Sequence, residues 1–126
     1  ILVLAAAVCG FLLVAAGAIG AHAAPIEAAG RWDGALVFGF VHTLAILAAA
    51  LLPLPGRLRL ASGGAFLTGV ALFSGIQIAN MLSQADGVSP FDALTMLVPV
   101  GGAAFMAGGV LLGSAALLSD RAKDRP

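Results

Sequence analysis

The sequence predicts an all-α polytopic membrane protein, with four transmembrane helices in a compact bundle. Three observations carry this expectation. Of 126 residues, 61% are hydrophobic and only 10% charged, and the mean hydropathy is +1.10, far from soluble globular usage. Four apolar stretches, 1–21, 35–52, 61–83 and 98–118, each come close to the ~20 residues a helix needs to cross about 30 Å of hydrocarbon. None of them alternates apolar with polar residues as a barrel strand would, and backbone in lipid must satisfy its own hydrogen bonds. The chain therefore reads as a single four-helix domain over 1–126.

The first stretch ends in Ala21-His22-Ala23, which also resembles a secretory cleavage site; a spanning helix is the preferred reading. The chain starts at Ile1 rather than Met, so a few residues are expected to precede it. Cys9 has no second cysteine to pair with and reads as a small buried hydrophobe. In the connector AHAAPIEAAGRWDG, Pro25 fits a helix start and Glu27 pairs with Arg31 at i, i+4. A short interfacial helix is expected there, with Trp32 anchoring it at headgroup level.

The second stretch contains FGFVHTLAIL, Phe38 to Leu47, with His42 inside it. Pro53-Leu54-Pro55-Gly56 then forces a turn and supplies Arg57 and Arg59. The third stretch carries Ser74, Gln77 and Asn80 at i, i+3, i+6, with Thr68 and Gln84 near the same face. Asp86-Gly87 is a turn, and Ser89-Pro90-Phe91-Asp92 resembles a capping box, so Pro90 to Leu97 reads as a separate interfacial helix. The fourth stretch opens Val98-Pro99-Val100-Gly101-Gly102, where proline fixes the helix entry and glycines admit a close neighbour.

Six basic and six acidic residues leave no net charge and no basic patch, which argues against nucleic acid as a partner. Arg57, Arg59, Arg121, Lys123 and Arg125 fall on one side of a four-span chain, against Arg31 on the other. The positive-inside rule then puts both termini in the cytoplasm.

An ionisable residue inside a span is costly and normally faces the bundle interior, so His42 is the first candidate for a specific role. It sits seven residues into the second stretch, roughly 10 Å below the outer surface. His22 ends the first helix on that side, and the two imidazoles are expected within reach of one another. Packing through a hydrogen bond to a neighbouring helix is preferred over a proton path or ligation of metal or haem, because no third ligand stands at metal-site spacing. The stripe Ser74, Gln77, Asn80 must turn from lipid, either to bond between helices or to line a polar path. No span contains a carboxylate, which argues against an ordinary proton-driven transporter.

Small residues recur four apart at Ala16/Gly20, Ala65/Gly69, Ala71/Gly75, Ala104/Gly108 and Gly109/Gly113, a spacing that lets helices approach closely. On the last helix Ala104, Gly108, Gly109 and Gly113 mark a packing or partner face. There is no phosphate loop, catalytic triad or dinucleotide fingerprint, so no enzyme activity, catalytic residue, metal or cofactor is expected.

The motifs arrive in a definite order: GAIGAH (Gly17 to His22), FGFVHTL around His42, FSG (Phe73 to Gly75) and PVGG (Pro99 to Gly102). Together they resemble the YgdD/YwdK family of small bacterial inner-membrane proteins, a domain of unknown function. The chain departs from that family's pattern at Ala23-Ala24-Pro25, Phe38-Gly39 and Ile76-Gln77-Ile78. The resemblance implies four helices in an energy-transducing or plasma membrane and supplies no reaction. The function expected is that of a non-enzymatic accessory or structural subunit. Its partners would be the lipid bilayer and either a larger inner-membrane complex or a second copy of itself. A minimal transporter using His42 and helix three, and a His-ligated cofactor or pigment binder, are the alternatives.

Overall fold

The computed structural model describes residues 1–23, 29–83 and 89–123. Its elements are α1 (Leu2–Ala23), α2 (Ala29–Leu51), α3 (Gly56–Gly69), a π-helical segment (Val70–Gly75), α4 (Ile76–Ser83), a 3₁₀ helix (Asp92–Leu97) and α5 (Val98–Lys123). They make four candidate membrane spans: Leu2–His22, Gly30–Leu51, Gly56–Ser83 and Asp92–Arg121. Among the described residues there is no strand. The protein is an all-α bundle of four helices long and apolar enough to cross a membrane.

Two antiparallel pairs set the register, and in each a glycine on one helix receives a large side chain from the other. In the first pair Trp32 of α2 lies over Gly20 of α1, Leu36 faces Gly17, and Leu13 fits against Gly39. In the second, Phe105 of α5 lies over Gly69 of α3 while Phe66 lies over Gly108, where an added Cβ would come within 2.6 Å of the ring. Ala65/Gly69 and Ala104/Gly108 are thus used against each other inside the bundle. Lipid tails are as apolar as phenylalanine, so these rings gain close dispersion contact rather than removal from water. Phe66, Phe105, Ala6, Ile46 and Val70 form the buried core.

The third span is not a uniform helix. Six residues, Val70–Gly75, widen into a π turn that contains the whole FSG motif. Here α5 meets main chain rather than a side chain: a Cβ on Gly101 would lie 2.5 Å from the Phe73 backbone nitrogen. FSG and PVGG are therefore two halves of one backbone contact.

Several expectations change. Helix α2 begins at Ala29, so Arg31, Trp32 and Asp33 lie in the second span and not in a connector. Trp32 is 4% exposed against Gly20, which makes it a packing residue and not a headgroup anchor. The proposed interfacial helix around Pro25 and Glu27 falls mostly on residues 24–28, outside the described residues. Ser89 to Asp92 forms half of the expected capping box: the Ser89 N–H donates to Asp92 Oδ2 at 3.3 Å, whereas the Ser89 hydroxyl accepts from the Phe91 N–H at 3.1 Å rather than from Asp92. It opens a 3₁₀ turn that runs straight into α5, rather than a separate helix.

Candidate functional site

The sequence stripe on the third span does not form one polar face. The π turn rotates the chain between Ser74 and Gln77, because its wider winding breaks the 3.6-residue period on which a shared face depends. Ser74 is fully buried beside Gly39 of α2, and its hydroxyl finds no hydrogen-bond partner among the described residues. Thr43, one turn beyond Gly39, is buried, and its hydroxyl likewise has no partner among the described residues. Thr68 is exposed and donates to its own helix at the Gly64 carbonyl. Gln84 lies outside the described residues.

Gln77 and Asn80 point to a different place. Asn80 Nδ2 donates to Thr95 Oγ1 at 2.9 Å, and Ser89 Oγ donates to Asn80 Oδ1 at 2.9 Å. The Ser83 and Ser89 hydroxyls meet at 2.8 Å, with Ser83 also 2.7 Å from the Ala79 carbonyl. This clasp ties the end of α4 to the turn before α5, and it spends most of the polar capacity of Asn80 on the bundle itself. Beside it, Arg31, Gln77, Asn80, Met81, Asp92, Thr95 and Val98 line a cleft of about 390 Å³. Gln77 donates to the Phe73 carbonyl at 2.9 Å.

His42 stands apart from that cleft. As the thirteenth residue of the span Gly30–Leu51 it lies near mid-depth, deeper than a span starting at residue 35 would put it. Gly10 faces Thr43 across the α1–α2 seam, which sets His42 roughly 17 Å along the axis from His22. The two histidines are not brought together, and His22 is exposed at the end of α1. His42 Nδ1 donates to the Phe38 carbonyl of its own helix at 2.8 Å, where a bond to a neighbouring helix was expected. Its half-buried ring stacks on Phe105, with centroids 3.6 Å apart and 16° between planes, and Phe66 flanks it at 5.7 Å.

Replacing His42 with Leu removes that stack, and is expected to lower thermal stability in detergent by about 1 kcal/mol. Asp33→Ala, on an exposed residue, should leave the midpoint nearly unchanged. Equal effects of the two would mean that the stack contributes nothing.

The small-residue strip of α5 divides in two. Gly108 is buried under Phe66 and Ala104 is half-buried, whereas Gly109 and Gly113 are exposed, with none of the described residues within 4 Å of an added Cβ. Sequence reading missed Thr95, Ser89, Phe66 and Phe105 as partners. For the two hydroxyls, polar residues on either side of the third connector were the available signal. Among the described residues no three His, Cys, Asp or Glu side chains gather at metal-binding distance.

A four-helix polytopic membrane bundle with a polar clasp between α4 and the turn before α5 is the class that fold and site define. Within that class, the chain belongs to the family described as "Protein of unknown function (DUF423)", whose model matches residues 16–102, more than half its length. The matched region runs from the Gly20–Trp32 contact to the PVGG entry of α5. No curated protein and no solved structure matches the chain.

Proposed function

We propose that this protein is a non-enzymatic accessory or structural component of the bacterial inner membrane that associates laterally, through the outer face of α5, with a helix of a larger membrane complex. The exposed pair Gly109/Gly113 supports this most directly. Only 17% of the last span's apolar window is buried within the chain, against 39% for the third span, so α5 faces outward more than its neighbours. On that outward side the two glycines sit among exposed Val110 and Leu117, at the spacing of a close helix crossing. Gly109→Leu with Gly113→Leu is expected to abolish co-purification of the complex after mild extraction while leaving the unfolding midpoint unchanged. Unchanged co-purification would contradict the proposal.

The transporter reading has less support, since His42 lies away from the Gln77/Asn80 cleft and Asn80 is bound to Thr95 and Ser89. Five basic residues on one side against Arg31 on the other, together with the resemblance to YgdD/YwdK proteins, support an inner-membrane location with cytoplasmic termini. Reporters fused after Pro126 and within 53–60 should then be cytoplasmic, and one near Asp86 periplasmic. A periplasmic C-terminal reporter would invert the assignment.

A further inference from the structure

The proton inventory of His42 leaves one atom unaccounted for. The Phe38 carbonyl can only accept, so Nδ1 carries a proton, and in that tautomer of the imidazole the lone pair is at Nε2. Among the described residues no hydrogen bond reaches that nitrogen. An unmet acceptor at mid-depth is costly where no bulk water is at hand. With Nδ1 held to its own backbone and Phe105 stacked on the ring, Nε2 occupies the edge furthest from α2.

The same ring lines a shallow, open groove of about 400 Å³ on the outer surface of the bundle. Phe38, Phe73 and Phe105 supply aromatic walls, Gly102 and Ala103 keep one side low, and Met106 adds a polarisable sulfur at the rim. Phe38 is 48% and Met106 71% exposed on the apolar outer surface, so the mouth opens toward lipid tails. A ligand must arrive through the bilayer, be flat enough to lie against these rings, and bring a hydrogen-bond donor for Nε2.

We propose that the Phe38–Phe73–Phe105 groove binds a lipid-soluble aromatic alcohol of the phenol or quinol class, whose hydroxyl donates to His42 Nε2. The lone pair gives the site a preference. A quinol has the O–H that Nε2 accepts, whereas the oxidised quinone and the O-methylated quinol offer only acceptors and leave the nitrogen unmet. The proposal does not depend on lateral association through α5, whose exposed glycines lie further along that helix.

The test uses the full chain, labelled with ¹⁵N-histidine, in phosphatidylcholine nanodiscs. A short-chain benzoquinol, the matching quinone and the quinol dimethyl ether are titrated in turn while the imidazole nitrogens are followed, with His22 as internal reference. The His42 Nε2 resonance should move with quinol and stay in place with the other two. His42→Phe, which keeps an aromatic ring on Phe105 but has no nitrogen, should hold the quinol about tenfold more weakly. No movement at saturating quinol, equal movement with the dimethyl ether, or undiminished retention by His42→Phe would each overturn the proposal. A Soret shift with added haem, without any response to quinol, would also overturn it and make Nε2 a metal ligand instead.

Discussion

Replacing Gly101 with valine is expected to lower the unfolding midpoint of the purified protein sharply, while the same change at Gly109 leaves it in place. A Cβ at 101 lies 2.5 Å from the Phe73 backbone nitrogen and 3.0 Å from the Leu72 carbonyl carbon. No rotamer relieves a clash with main chain, so α5 must move off the π turn. Overpacking of this kind costs about 1–3 kcal/mol, and the upper end applies when backbone has to shift. A Cβ at 109 meets none of the described residues within 4 Å. Thermal unfolding in one detergent, read on both variants, decides the matter; matching midpoints would mean that α5 does not rest on the π segment.

Asn80→Leu should have the next largest effect. Leucine keeps the apolar volume but removes both partners of the clasp, leaving Thr95 Oγ1 without its donor and Ser89 Oγ without its acceptor. Each polar group orphaned in a buried place costs about 1–3 kcal/mol, more than the net worth of the bond it lost. Ser89 Oγ keeps the Ser83 hydroxyl and the Phe91 N–H, and Thr95 is exposed, so each takes less than the full penalty. The loss should also be local: amides of Asp92–Leu97 are expected to exchange faster with solvent, because the 3₁₀ turn is tied to α4 by these bonds. Thr68→Val, which removes only an exposed bond to its own helix, serves as control. Unchanged exchange at 92–97 would show that the clasp does not hold the turn.

The four spans were legible because length and hydropathy alone decide whether a helix can cross hydrocarbon. The Ser89–Asp92 bond was legible too, as part of a local motif that stays within four residues. What could not be read was set by contacts distant in sequence. Trp32 beside charged Arg31 and Asp33 reads as an interfacial anchor until Gly20 is seen beneath its ring. The stripe Ser74, Gln77, Asn80 looks like one face on the assumption of a regular 3.6-residue helix, and the π turn removes that assumption. Gly108 and Gly109 are neighbours of identical type, yet one is covered by Phe66 and the other by nothing among the described residues. Composition cannot separate them.

Lateral association is tested most directly by a photo-crosslinking side chain placed at Val110, between Gly109 and Gly113, and compared with the same group at Val14 on the exposed face of α1. Irradiation of whole membranes is expected to give discrete protein adducts from position 110 that vanish with Gly109→Leu, and only lipid adducts from position 14. Lipid adducts alone at both positions would contradict the account.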